Sequence, residues 1–118
     1  MTTANLFEET ENKLLAFSKK WSDISWIGGD DFYITIPQFV AAAKETNYDC
    51  GYGSEEVATD LVICFNDGSW LSREAYDGSE WWKYNAYPQK PQIHYQGNVK
   101  LADPGGYDAW GGLKKLNK

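Results

Sequence analysis

Residues 59–87, TDLVICFNDGSWLSREAYDGSEWWKYNAY, decide the fold of this chain of 118 residues. Two Asp-Gly pairs, at 67–68 and 77–78, predict tight hairpin turns, because type I′ turns need positive φ angles that Asp and Gly tolerate. The eight residues between the pairs are a normal strand length. We therefore expect a three-stranded antiparallel meander over about 59–66, 69–76 and 79–87.

The adjacent Trp81 and Trp82 cannot both enter one core, because successive side chains of a strand point to opposite faces. A two-residue turn at 77–78 places Trp81 opposite Glu74 and Trp82 opposite Arg73. We expect Trp82 to be the more buried ring and Trp81 to be offered to a partner. The predicted register gives one face Leu71, Arg73, Trp82, Tyr84, Val62 and Cys64, and the other face Trp70, Tyr76, Trp81, Phe65 and Ile63. A slip of one residue in either turn would reverse this assignment.

Two amphipathic helices are predicted before the meander. The first spans 5–21, with Asn5 as its cap and Glu8 in the capping-box position. The second spans 36–46, where Thr35 and Gln38 form another capping-box pair. Residues 23–31 should form a loop or a short extended piece. After the meander we expect an edge strand at 93–101, a turn at 103–106 and a short helix at 107–116.

The predicted fold class is α+β, with N-terminal helices packed on a small antiparallel meander of three to four strands. The length predicts a single domain over residues 1–118 and a monomer or small homo-oligomer. The acidic N-terminus does not resemble a signal peptide, and no apolar run approaches the roughly 20 residues of a membrane span. Two cysteines, Cys50 and Cys64, fit a reducing compartment, so the cytoplasm is the expected location.

Acidic residues outnumber basic ones by 17 to 11, and between residues 30 and 60 seven acids stand against Lys44 alone. Direct binding to nucleic acid is disfavoured, because it needs clustered Lys and Arg. A partner with a basic surface is the better expectation, although such acids also simply solvate a surface. The candidate partner-binding residues are Asp30, Asp31, Asp49, Glu55, Glu56, Asp60, Tyr48, Tyr52 and Trp81.

Signals for catalysis, metals and cofactors are weak. The single histidine, His94, would have to activate Cys50 or Cys64, but Cys64 lies in a predicted buried strand and acids surround Cys50. Two cysteines and one histidine do not make a zinc site, and the acid pairs at 30–31 and 55–56 lack EF-hand spacing. We therefore expect no enzyme activity, no metal and no cofactor.

Residues 47–91, which contain EVATDLVI and YDGSEWW followed by a proline, resemble small uncharacterised proteins of phage and prophage genomes. The resemblance implies a phage or mobile-element origin and a bacterial cytoplasm as workplace. By analogy, small acidic phage proteins often inhibit host nucleic-acid enzymes, as anti-CRISPR and anti-restriction proteins do. The leading hypothesis is such a non-catalytic inhibitor. The alternatives are a phage structural or assembly component that uses an aromatic sheet face, and a small hydrolase that uses Cys50 and His94.

Overall fold

The computed structural model describes residues 3–49, 56–106 and 108–117. These residues form an α+β fold of helices and antiparallel sheets, as the sequence predicts. The chain packs as two compact units, Met1–Tyr87 and Pro88–Lys118. The single-domain expectation stays a prediction.

The first unit contains seven strands and two α-helices among the described residues. In chain order they are β1 Thr3–Asn5, α1 Leu6–Ala16, β2 Ile24–Gly28, β3 Tyr33–Ile34, α2 Ile36–Lys44, β4 Asn47–Asp49, β5 Val62–Phe65, β6 Trp70–Tyr76 and β7 Ser79–Asn85. One sheet has the order β3-β2-β5-β6-β7, with all neighbours antiparallel, and a separate pair joins β1 to β4. The predicted meander is therefore widened by β2 and β3, so residues 24–28 take the extended alternative that the sequence left open.

Both helices begin at the predicted caps. The side chain of Asn5 accepts a hydrogen bond from the Glu8 backbone N–H at 3.1 Å, and Thr35 and Gln38 bond each other reciprocally at 3.2 and 2.8 Å. Both helices end earlier than predicted. The first stops at Ala16 instead of 21, where Ser18 adopts a φ of 55°, and the second stops at Lys44 instead of 46.

The second hairpin has the predicted register. Asp77 and Gly78 have φ angles of 52° and 84°, as a type I′ turn requires. Trp81 pairs with Glu74, and Trp82 pairs with Arg73. The predicted contrast in burial is confirmed, because Trp82 is 0% exposed and Trp81 is 38% exposed.

The first hairpin departs from the prediction by one residue. Only Gly68 of the 67–68 pair has a positive φ, and the Phe65 backbone N–H donates to the Ser69 carbonyl at 2.9 Å. The loop therefore has three residues, 66–68, instead of two, and Cys64 pairs with Trp70. This extra residue turns β5 over relative to the prediction.

The face assignment of β5 was consequently wrong. Ile63 and Phe65 lie in the core, at 0% and 4% exposure, while Val62 and Cys64 are half-buried on the open face of the sheet. The two helices and the buried face of the sheet enclose one core, whose members include Leu6, Leu14, Ile24, Ile27, Phe39, Ala43, Ile63, Phe65, Leu71 and Trp82. The ring nitrogen of Trp82 donates to the Thr10 hydroxyl at 2.9 Å, which satisfies its buried polar atom.

The second unit has little regular structure. The turn at 103–106 forms as predicted, since the Gly106 N–H donates to the Asp103 carbonyl at 3.0 Å. A 3-10 turn at Asp108–Gly111 leads into α3 at Gly112–Leu116, close to the predicted helix. The edge strand expected at 93–101 is absent from these described residues, so that prediction was wrong. Within the described ranges, none of the helices is long and apolar enough to cross a membrane.

Candidate partner-binding surface

One end of the five-stranded sheet carries most of the acids that the sequence singled out. Because the strands alternate in direction, β2 and β6 run toward this end, and β3, β5 and β7 run away from it. The β2–β3 hairpin, the segment 56–61 and the β6–β7 turn therefore share it. The exposed acids found there are Asp30, Asp31, Glu56, Asp60 and Asp77.

The β2–β3 hairpin builds a groove of aromatic rings with carboxylates at its tip. The Gly29 N–H donates to the Phe32 carbonyl at 2.9 Å, which places Asp30 and Asp31 at the turn. Phe32 and the next residue, Tyr33, are each 74% exposed, far more than large rings usually are. Together with Trp26, which is 41% exposed, they line a groove of about 410 Å³ that we call the hairpin groove.

Two glycines adjoin this site, and an added Cβ would meet the backbone of the hairpin at Gly28 and the side chain of Asp60 at Gly29. A Cβ on Gly28 would lie 2.5 Å from the Phe32 carbonyl oxygen and 3.2 Å from Cζ3 of Trp26. A Cβ on Gly29 would lie 2.5 Å from Oδ2 of Asp60. Gly28 therefore lets the Trp26 ring and the returning strand come close, and Gly29 admits the carboxylate of Asp60.

Asp60 joins the hairpin through its side chain. Its Oδ2 accepts a hydrogen bond from the Asp30 backbone N–H at 2.9 Å. Asp60 also lines a second groove of about 120 Å³, which shares Asp31 and Phe32 with the hairpin groove. We call the two grooves together the acidic aromatic cleft. Among the described residues that line it, none is Lys, Arg or His, so its charge is negative.

A buried polar network lies on the core face of β6 and β7. The guanidinium of Arg73 donates to Glu9 and to Glu80, each at 3.0 Å, and to the Tyr48 hydroxyl at 3.3 Å. The side chains of Arg73 and Glu80 are only 4% and 3% exposed. Glu9 also accepts hydrogen bonds from the Tyr48 hydroxyl and, at 2.9 Å, from the Trp82 N–H. Buried charges of this kind need partners, and Nε of Arg73 is the one buried side-chain polar atom of the described residues that has none.

The network fixes protonation states and backbone positions. Burial and the hydrogen bond to Glu9 raise the pKa of Tyr48 to about 12. Burial opposes the charge on Arg73, but the bond to Tyr48 and the charge of Glu9 outweigh it and raise the Arg73 pKa. Glu80 accepts hydrogen bonds from the N–H groups of Glu56 and Val57, at 2.7 and 3.3 Å. The network therefore anchors the start of the segment that ends at Asp60.

The predicted site residues lie in different parts of the structure. Asp30, Asp31 and Asp60 meet at the cleft, and Glu56 lies at the same end of the sheet. Asp49 is half-buried in β4, opposite Thr3. Glu55 and Tyr52 lie outside the described residues.

The two described aromatic candidates have different environments. Tyr48 is 4% exposed, because its ring faces Arg73 and its hydroxyl belongs to the buried network, so it offers little surface to a partner. Trp81 is partly exposed on the open face of the sheet, as a partner contact requires.

Sequence reasoning missed Trp26, Phe32 and Tyr33. A signal was available in WIGGDDFY, residues 26–33, where aromatic residues flank a Gly-Gly-Asp-Asp core. Read as a hairpin, this pattern places rings on both strands next to the acidic tip.

The open face of the sheet holds a second aromatic surface. Trp26, Cys64, Trp70 and Tyr87 line a groove of about 430 Å³, which we call the open-face groove. The rings of Trp70 and Tyr87 contact each other with centroids 5.3 Å apart. Burial raises the pKa of the Cys64 thiol, which lowers its reactivity at neutral pH.

The described residues contain no cluster of three or more His, Cys, Asp or Glu side chains that could hold a metal ion. His94 is exposed in the second unit, with its Nδ1 3.2 Å from the Gln96 amide, and Cys50 lies outside the described residues. Comparison with protein-family models, with curated proteins and with solved structures finds no match to this chain. The resemblance to phage and prophage proteins therefore stays a prediction.

Proposed function

We propose that this chain is a non-catalytic binding protein whose acidic aromatic cleft engages a basic surface of a host protein. The proposed partner is a nucleic-acid-handling or defence protein of a bacterial host, which the chain inhibits in the cytoplasm, as anti-CRISPR and anti-restriction proteins do. The resemblance of residues 47–91 to phage-encoded proteins supports this assignment of origin.

The observation that carries the proposal is the meeting of Asp30, Asp31 and Asp60 beside exposed aromatic rings. The Asp30 backbone N–H holds the carboxylate of Asp60 against the hairpin, beside these rings. Exposed aromatic rings are common anchors at protein interfaces. The cleft thus combines an electrostatic and an apolar element of recognition in one place.

Charge should act mainly on the encounter of the two proteins. The first unit carries 15 acidic and 6 basic residues, so a basic partner is attracted before contact. Complementary charge raises the association rate, and salt screens this effect over about 8 Å at physiological ionic strength. The rings then slow dissociation by burying apolar surface.

The test is reversal of the charges at the hairpin tip. The wild-type protein is used to capture its partner from a bacterial lysate, and the partner is identified and purified. Asp30→Lys/Asp31→Lys should then slow association and flatten its dependence on salt, while thermal unfolding stays nearly unchanged because both side chains are exposed.

A matched control is Glu11→Lys/Glu45→Lys, which makes the same change in net charge at two exposed positions outside the cleft. It should affect association much less than the hairpin variant does. Equal association rates for the wild type and the hairpin variant at every salt concentration would mean that the acids only solvate the surface, and the proposal would fail.

A second candidate function is a structural or assembly component of a phage particle. The observation that favours it is the open-face groove, where Trp26, Trp70 and Tyr87 leave aromatic surface open on the sheet. Such a component should self-associate through this face. Light scattering separates the two candidates, because the inhibitor remains a monomer or small oligomer and the assembly component grows with concentration.

A further inference from the structure

The hairpin groove joins three aromatic rings to two carboxylates, and this combination favours a planar cation. We propose that the groove binds an arginine side chain of the partner, an inference that rests on the proposed function and names the chemistry it recognises. The groove of about 410 Å³ is large enough for one long side chain and open enough to admit it from a protein surface.

Trp26 supplies the stacking surface. Its ring edge lies against the backbone of Gly28, where an added Cβ would come within 3.2 Å of Cζ3. This contact holds the ring beside the hairpin while 41% of the residue remains exposed. A cation held within about 6 Å of such a ring is attracted by its quadrupole.

Asp30 and Asp31 supply the opposite charge within the same groove. A guanidinium can stack on a ring and at the same time donate two parallel hydrogen bonds to a carboxylate. A lysine ammonium is a compact and strongly hydrated point charge, so it cannot satisfy both elements in this way. The geometry therefore favours arginine over lysine.

Phe32 supplies an apolar wall for the stem of the incoming side chain. Phe32 is 74% exposed, and it directly follows Asp30 and Asp31 in the chain. The groove therefore has apolar and charged elements next to each other. The methylene groups of an arginine cover apolar surface while the guanidinium reaches a polar group. The methylene stem of an arginine therefore suits the aromatic part of the groove, and its guanidinium suits the acidic part.

The experiment measures peptide binding by calorimetry at physiological salt. The probes are three short peptides in which glycine alternates with arginine, with lysine or with citrulline, which has the shape of arginine without its charge. The arginine peptide should bind at least about fivefold more tightly than the lysine peptide. The citrulline peptide should show no binding.

Matched variants locate the site. Trp26→Ala should weaken the arginine peptide by about tenfold, and Trp26→Phe should retain most of the binding. The control is Tyr76→Ala, because Tyr76 is an aromatic residue of β6 that is 77% exposed and lines neither groove of the cleft. This control should change the affinity by less than about twofold.

Equal affinity for the arginine and lysine peptides would overturn the arginine site, and so would equal losses in the Trp26→Ala and Tyr76→Ala variants. Either result would leave the charge-based proposed function intact. The converse result is that binding of the arginine peptide requires Trp26, while charge reversal at 30–31 leaves capture of the host protein unchanged. That result would support the arginine site and refute the proposed function.

Discussion

The buried cation Arg73 provides a sharp test of how this fold is held together. Arg73→Met keeps a side chain of similar length but removes the guanidinium that contacts Glu9, Tyr48 and Glu80. Two carboxylates would then face each other with no charge between them, and the Glu80 side chain is only 3% exposed. Glu80 would keep the backbone N–H groups of Glu56 and Val57 as donors but would lose its counterion.

The expected loss follows from this geometry. Removing one partner of a buried ion pair costs about 3–5 kcal/mol, because the remaining charge stays desolvated. A domain of this size has a total stability of roughly 5–15 kcal/mol, so the variant should lose about a fifth of it or more. Urea unfolding, followed by circular dichroism, should show the midpoint shifted to clearly lower urea.

The control uses the exposed ion pair of the same hairpin. Lys83 lies 3.4 Å from Glu74, and their side chains are 55% and 42% exposed. Lys83→Met makes the same chemical change and should cost less than about 1 kcal/mol. Adding Glu9→Gln to Arg73→Met should recover part of the loss, because it removes one of the two unpaired charges. Equal destabilisation by Arg73→Met and Lys83→Met would refute the reasoning.

Three further predictions concern single side chains. Trp82→Ala should lower the free energy of unfolding by about 3–5 kcal/mol and Trp81→Ala by far less, since only Trp82 is fully buried; equal losses in urea titrations would contradict this. Because the Tyr48 pKa is raised to about 12, its contribution to stability is complete below pH 10 and should be lost as the pH rises toward 12. Tyr48→Phe should show a weaker fall in urea midpoint over that range, and an identical profile would exclude Tyr48 as the cause. The raised pKa of Cys64 predicts slower reaction with a thiol reagent at pH 8 than free cysteine shows, measured in a Cys50→Ser background, and reaction at the rate of free cysteine would contradict burial.

Local chemistry explains why part of this fold could be predicted from the sequence. The caps at Asn5 and Thr35 and the turn at 77–78 each depend on residues within four positions of one another. The register of β6 and β7, and with it the burial of Trp82, follows from that one turn.

The parts of the structure that the sequence did not predict depended on contacts between distant residues or on alternatives of similar energy. The Asp-Gly pair at 67–68 is compatible with a two-residue and a three-residue loop, and the choice between them decides which face Cys64 occupies. Gly29 contacts Asp60, some thirty residues away, whose carboxylate occupies the space of a Cβ, whereas Gly28 faces the backbone of Phe32 and Tyr33. No local pattern indicates that contact, so the side of the cleft that Asp60 forms could not be derived from the order of residues alone.

Asp60 and the rings of the cleft are held differently, and this difference affects how the cleft would recognise a partner. Asp60 bonds a backbone N–H of the hairpin, and the segment before it is bonded to Glu80 in the buried network. A charge held in this way loses little conformational freedom on binding. Phe32 and Tyr33 are mostly exposed and can adjust to the surface they meet. Asp60 should therefore provide specificity and the rings adaptable contact area. Since Arg73 holds Glu80, Arg73→Met should also weaken binding of a basic partner, although its side chain is too deeply buried to touch one.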